Sequence, residues 1–211
     1  MPWLGRDPIY ASSQMINNMQ SLISRKADLT QGMGVISIGS IQGGTTGNVI
    51  PEQVNMVGTI RSNSENIRQN ILKDLPKMIE HNALANDVTA KVEIAPYAPV
   101  TINDSTLTKL MQPTLAQVNG EDKLHLLSNN ASASEDFAYY GKLMPSLFVF
   151  VGATPVDQDM SKAAPNHNPL FIVDDATLKI GVESHVRFIM DYPKVADQVQ
   201  AEWKKAQAAK I

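Results

Sequence analysis

The chain contains no cysteine, which excludes disulfides and thiolate metal sites together. The lack of thiols does not name a compartment. Nor is there an apolar run approaching the roughly 20 residues that span a bilayer, so no membrane partner is expected. The opening residues Met1-Pro2-Trp3-Leu4-Gly5-Arg6-Asp7 lack the apolar segment of a signal peptide. Localisation is left open, with the cytoplasm as the default, because a fragment of a longer precursor would lack that segment in any case. An excess of one charge is also missing: 18 basic and 21 acidic residues give a formal net charge of -3, and this offers no electrostatic reason to expect nucleic acid or an anionic surface. Internal repeats and low-complexity segments are absent. What remains is 211 residues, 43% hydrophobic, with a mean hydropathy of -0.15. That is enough for one large or two small domains with a buried core.

The first elements are readable from caps and stripes. Asp7-Pro8 supplies an N-cap acid followed by proline at the first helical position. Met15, Ile16, Met19, Leu22 and Ile23 then recur at helical spacing, so a helix reaching about Lys26 is expected, its methionines packing against a core. Gly34 to Ile41 and Gln53 to Arg61 read as strands. Ser62-Asn63-Ser64-Glu65 fits a capping box with Ser62 at the cap. Ile67, Ile71, Leu72, Leu75, Met78 and Ile79 mark a second helix, which Pro76 should kink or restart. Thr89 to Ile94 alternates Val92 and Ile94 against Lys91 and Glu93, the pattern of a half-exposed strand. The order α, β, β, α, β lacks one leading strand of a ferredoxin-like domain.

Between the first two strands lies Gly43-Gly44-Thr45-Thr46-Gly47-Asn48-Val49-Ile50-Pro51. Its three glycines allow positive φ and close backbone approach, and Pro51 fixes the exit. Along the following strand, Val54, Met56 and Ile60 share one face and Asn55, Val57, Thr59 and Arg61 the other, so Arg61 is expected to point away from the core. An amide on a glycine-lined loop and a strand-end guanidinium suit the capture of a small carboxylate. By spacing alone, a plain hairpin connection with a solvated arginine is the favoured reading.

Ala95-Pro96-Tyr97-Ala98-Pro99 is the expected boundary, dividing the chain into domains 1–97 and 98–211. Beyond it, Asp104 or Ser105 should cap a helix closed by Asn119-Gly120. Ser132 to Tyr140 reads as a helix start, with Ser132 and Glu135 fitting a capping box. Leu147 to Val151 is continuously apolar, as in a strand covered on both faces. A loop over Gly152 to Asn168 precedes a helix from Asp174 or Asp175 with Leu178, Val182, Val186 and Ile189 inward. A loosely held terminal helix is expected over Asp197 to Ile211. Among four histidines, His81, His125 and His185 have structural readings. His167 sits between Pro165 and Pro169 in a loop after the apolar run, where open α/β sheets bind ligands, and is a candidate metal ligand.

The runs GRDPI (Gly5 to Ile9), GNVIP (Gly47 to Pro51), GTIR (Gly58 to Arg61), SEDF (Ser134 to Phe137) and HNPLF (His167 to Phe171) occur in one order. In that order and spacing the chain resembles the M20 family of metallopeptidases and amidohydrolases, in the branch acting on N-acyl amino acids and hippurate-type substrates. The resemblance covers nearly all of the chain as far as about Met190 and matches the carboxyl-terminal part of such an enzyme. It implies an α/β (α+β) fold: a ferredoxin-like lid and dimerisation domain lacking its first strand, plus the carboxyl-terminal part of an α/β metallohydrolase catalytic domain. It also implies that Asn48 and Arg61 hold the substrate carboxylate and that His167 is the last protein ligand of a two-metal site. Zinc, manganese or cobalt would serve the intact enzyme, with the possibility that this chain binds none alone. Partners so implied are a small N-acyl amino acid or peptide and a second copy through the lid.

The departures bear on activity. A two-metal hydrolytic site needs about five ligands and a general base, and this sequence offers His167 alone. The family's catalytic glutamate, most metal ligands and a lid histidine upstream of the segment matching Pro2 have no counterpart, so no catalytic residue is assigned. The chain is therefore expected to be inactive by itself. The alternative is a non-catalytic remnant that mediates dimerisation or binds a carboxylate.

Overall fold

Residues 1–95, 98–127 and 135–208 are described in the computed structural model. The readings placed on Pro96, Tyr97, Ser132 to Ser134 and the last three residues lie outside them. Two compact units form: one is Met1–Val100, with which Glu135 and Asp136 are grouped, and the other runs from Thr101 and resumes at Phe137. No helix among the described residues is long and apolar enough to cross a membrane.

The first unit begins with α1 (Pro8–Ser21), extended by a looser turn over Leu22–Lys26. Its cap is as the sequence predicts: the Asp7 Oδ1 accepts from the N–H groups of Ile9 (2.9 Å) and Tyr10 (3.1 Å). β1 (Gly34–Gln42) and β2 (Asn55–Ser62) then pair antiparallel, with a register shift between Ile38 and Ser40 that places Gly39 at a bulge. α2 (Glu65–Ala85) crosses behind them, and its helical span continues through Pro76. Ala11, Met15, Met19 and Leu22 of the first helix meet Ile67, Ile71, Leu75 and Ile79 of the second, with Ile36 from the sheet. Each fully buried aliphatic side chain of this kind contributes about 1.5 to 3 kcal/mol.

Two expectations for this unit need correction. Ser62 is not the helix cap, because it is the last residue of β2, and its hydroxyl donates to the Met33 carbonyl at 2.7 Å. Ser64 caps instead, its Oγ accepting from the Ile67 N–H at 3.4 Å, and Glu65 becomes the first helical residue. The strand expected over Thr89 to Ile94 is also not formed. Its alternation survives as packing, since Val92 and Ile94 lie against the core while Lys91 and Glu93 are exposed. A strand needs a backbone partner as well as a buried face, and among the described residues the sheet contains only β1 and β2.

The second unit is helical. α3 (Ser105–Asn119) is capped by Asp104, whose Oδ1 accepts from the Leu107 N–H at 2.7 Å, and closes at Gly120 with φ of 97°. A short α4 (Ala138–Leu143), the long α5 (Ala176–Asp191) and α6 (Ala196–Ala208) follow. The core gathers Leu107 and Met111 of α3 with Val199 of α6, and Leu147, Phe188 and Tyr192 pack around them. Val199 is fully buried, so α6 is anchored rather than loosely held. Helix α4 starts later than expected, at Ala138, with no side-chain cap.

Two further expectations fail here for a shared reason. Leu147 to Val151 does not form a strand, and Val149, Phe150 and Val151 are exposed. In α5 the stripe Leu178, Val182, Val186 and Ile189 faces outward, and no residue of that helix is buried. Apolar periodicity records which side chains call for cover, whereas their burial depends on a neighbour being present to supply it.

Candidate functional site

The hairpin positions the two carboxylate-binding candidates. Arg61 lies on β2 opposite Val35, one residue from the end of the ladder where Gly34 meets Ser62. As the alternation predicts, Asn55, Val57, Thr59 and Arg61 are exposed while Met56 and Ile60 pack toward the core. Asn48 occupies an exposed turn in the loop that leaves β1 after Gln42 and enters β2 at Asn55. That loop is seated at the start of α1: a Cβ at Gly44 would lie 3.8 Å from Ile9 Cδ1, and one at Gly5 would lie 3.3 Å from Ile50 Cδ1. The loop glycines differ in purpose. Gly44 has φ of 78° and Gly43 approaches Val54 closely, whereas a Cβ at Gly47 would meet nothing.

This arrangement sets Asn48 and Arg61 at opposite ends of one hairpin. Asn55 and Arg61 are separated along β2 by six residues, roughly 20 Å at about 3.4 Å per residue. The loop's contacts with Ile9 and Gly5 hold it at the far end of that distance. Both residues are exposed, and the ladder separates Arg61 from the strand end at which the Asn48 loop joins.

Just beyond β2, the Glu65 carboxylate is held by several donors. Arg68 donates through Nε at 3.0 Å and Nη2 at 2.7 Å, Gln69 Nε2 at 2.8 Å and the Val100 N–H at 3.3 Å. Partial burial pushes this carboxyl up, but the hydrogen bonds from Arg68, Gln69 and Val100 and the Arg68 charge together outweigh it and hold the pKa at about 2. The sequence reading assigned Glu65 only to a cap. The arginine three residues later was the available signal.

In the second unit, His167 lies in the loop between the apolar run and α5. The loop is tied at its base, where the Asp174 N–H donates to the Ala153 carbonyl at 2.8 Å. Around His167 are two turns: the Asn168 N–H donates to the Pro165 carbonyl (3.2 Å) and the Phe171 N–H to the Asn168 carbonyl (2.9 Å). Asn168 Oδ1 also accepts from the Leu170 N–H at 2.9 Å. His167 itself has φ of 69° and is exposed. The left-handed conformation costs a non-glycine residue roughly 1 to 2 kcal/mol, and the flanking turns impose it. Among the described residues, no three His, Asp or Glu side chains gather into a group able to hold a metal ion. Glu135 and Asp136 precede α4 without entering it. His81 and His125 are exposed, and the His185 Nδ1 contacts the Gly181 carbonyl of its own helix at 2.8 Å.

One contact had no counterpart in the sequence reading. The Asn103 side chain acts as a substitute strand: its Oδ1 accepts from the Phe148 N–H at 2.7 Å and its Nδ2 donates to the Phe148 carbonyl at 2.8 Å.

Residues 9–191 match the sequence profile of peptidase family M20/M25/M40. An N-acetylcysteine deacetylase of Bacillus subtilis is 31% identical over 174 residues, covering 82% of this chain and 43% of that protein. An N-acetyldiaminopimelate deacetylase of Leuconostoc mesenteroides is 32% identical over 190 residues, covering 89% and 47% respectively. Among solved structures, a protein described as an aminohydrolase from methicillin-resistant Staphylococcus aureus superposes with a TM-score of 0.79 at 28% identity, over 90% of this chain and 48% of that one. A Bacillus subtilis dinuclear metal-binding peptidase superposes with a TM-score of 0.66 at 25% identity, over 92% and 47%. The mixture of helices with a small sheet is thus shared with these hydrolases, and the chain spans about half the length of the relatives it matches.

Proposed function

The chain belongs to peptidase family M20/M25/M40, and from that premise we propose that it is the lid and the carboxyl-terminal part of the catalytic domain of a metal-dependent hydrolase cleaving the amide bond of N-acyl amino acids. The lid reading treats the first unit as a ferredoxin-like domain without its first strand, in which Val92 and Ile94 keep the packing of the missing last strand. The observation that carries the proposal is the outward presentation of Arg61 at the end of β2, together with the exposed amide of Asn48. A guanidinium binds a carboxylate through two parallel hydrogen bonds. The names of two relatives, deacetylases of N-acetylcysteine and N-acetyldiaminopimelate, describe substrates that carry such a group.

The hairpin geometry favours a symmetric pair of lids. With Asn55, where the Asn48 loop rejoins β2, about 20 Å from Arg61 along the ladder, a single small carboxylate would be shared by Asn48 of one copy and Arg61 of the other. Closed two-fold pairs bring unlike parts of one surface together in this way. His167 would contribute one ligand to a metal centre completed by residues outside this chain, and no step is assigned to that centre here.

The test combines the full chain with zinc, manganese or cobalt and an N-acetyl amino acid, with and without the complementary half of a relative. Hydrolysis confined to the mixture is the expected result. Carboxylate binding without hydrolysis in any mixture would instead favour the remnant reading.

A further inference from the structure

Past Arg61, β2 ends in a corner with more hydrogen bonds than closing the ladder requires. The last paired residues are Gly34 and Ser62, yet the backbone of Met33, just before β1, is engaged as well. Its N–H donates to Asn63 Oδ1 at 2.7 Å. Its carbonyl accepts from the Asn63 N–H at 3.3 Å and from the Ser62 hydroxyl at 2.7 Å. Met33 and Asn63 thus exchange two hydrogen bonds as a ladder pair does, with the side-chain amide oxygen standing in for the Asn63 carbonyl. The substitution lets the backbone turn away at once, because Ser64 already caps α2. Gly32 permits the approach: its φ is 140°, and a Cβ there would lie 2.5 Å from Asn63 Oδ1 and 2.9 Å from Ser64 Cβ. Met33 is exposed, so water would serve its backbone groups if a partner were all they needed.

We infer that Asn63 is a positioning residue for Arg61, clamping the end of β2 so that the guanidinium keeps the direction in which it meets a carboxylate. The inference rests on the reading of Arg61 as a holder of the substrate carboxylate. Arg61 lies one pair from the end of the ladder, and the ends of elements open more readily than their middles. The Met33–Asn63 pair adds a rung, so opening of the outermost pair no longer reaches the neighbour of Arg61. Direction matters because a guanidinium grips a carboxylate through two parallel hydrogen bonds, whose geometry a rotated strand end would spoil. Asn63 would therefore act on affinity through Arg61, without touching the ligand itself.

The experiment titrates the full 211-residue chain with N-acetylvaline and with N-acetylvalinamide, which has no carboxylate, and takes the ratio of the two affinities. A variant that merely unfolds part of the protein weakens both ligands equally and leaves the ratio alone. The wild type should prefer the carboxylate by about ten-fold or more, the scale of charged hydrogen bonds, and Arg61→Ala should abolish that preference. Asn63→Ala should reduce the preference about three-fold or more, and should change nothing further when added to Arg61→Ala, since residues acting through one contact are not additive. Asn66→Ala removes a bond of the same corner, from Asn66 Nδ2 to Gln31 Oε1 at 2.8 Å, without touching Met33, and should leave the ratio at its wild-type value. A wild-type ratio in Asn63→Ala, with Arg61→Ala abolishing the preference, would overturn this inference and spare the reading of Arg61. A ratio that Arg61→Ala does not lower would overturn both. Equal losses in Asn63→Ala and Asn66→Ala would assign the effect to the corner at large and likewise overturn the role given to Asn63.

Discussion

Arg61 pairs with Val35 at the end of the β1–β2 ladder remote from Gln42 and Asn55, where the loop bearing Asn48 departs. The consequence is a complementation pattern. Arg61→Ala should weaken binding of an N-acyl amino acid by about 1.5 to 3 kcal/mol, the cost of losing charged hydrogen bonds, and Asn48→Ala by about 1 kcal/mol. When the two variants are mixed as unfolded chains and refolded together, half of the sites in each mixed pair regain Arg61 from one copy and Asn48 from the other. Titration calorimetry on the mixture should therefore recover a wild-type affinity class. If it finds only the weakened classes, both residues act within one copy.

Glu65 gives a pH dependence whose sign is fixed by its surroundings. Its folded pKa, about 2, lies below the ordinary 4.5, so its contribution is fully present above about pH 4.5 and is lost as pH falls toward 2. The full shift overstates the energy because the group is partly solvated; after that discount about 1 kcal/mol remains. Denaturation midpoints of the wild type should fall through this window, while Glu65→Gln should start about 1 kcal/mol lower at pH 7 and fall less steeply. Parallel curves for the two proteins would remove Glu65 as the source.

The same contrast between local and distant demands explains what was legible in the sequence. Asp7-Pro8, Asp104 and Gly120 act on backbone groups within three or four residues of themselves, and each sits where its residue type predicts. The core stripe of α2 was equally readable because α1 and the sheet lie in the same unit to cover it. Thr89 to Ile94, Leu147 to Val151 and the α5 stripe have the right patterns, yet they lack the partner across the ladder or above the face. Ser62 was misread because two serines stand two residues apart before α2, and only the end of β2 decides between them. For Arg61, the outward direction was legible from the alternation of β2. Its separation from the strand end at which the Asn48 loop joins was not, since it follows from the hairpin register.

Two glycines of the hairpin separate backbone need from sequence motif. A Cβ at Gly58 would collide with the Ser37 carbonyl and Ile38, whereas one at Gly47 would meet nothing within 4 Å. Gly58→Val should thus cost about 2 kcal/mol or more in stability by forcing the two strands apart. Gly47→Ala should stay within about 0.5 kcal/mol of the wild type. Chemical denaturation of both variants decides the point; equal losses would mean that the loop depends on Gly47 in a way its open surroundings do not explain.

His167 allows a structural role to be separated from a chemical one, because its backbone and its imidazole make different demands. The left-handed φ of 69° is tolerated better by asparagine than by most residues, and the exposed ring leaves little packing to lose. His167→Asn should therefore unfold within about 0.5 kcal/mol of the wild type, as surface substitutions do. In the reconstituted mixture with a relative's other half, the same variant should lose at least ten-fold in metal affinity, measured by competition with a chromophoric chelator, since an amide is a poor replacement for an imidazole ligand. Stability and metal affinity falling together would mark His167 as a loop-shaping residue. Unchanged metal affinity would remove it from the centre altogether. Only the split result, with the fold intact and the metal weakened, agrees with an imidazole presented outward by a loop whose turns already bear the strain.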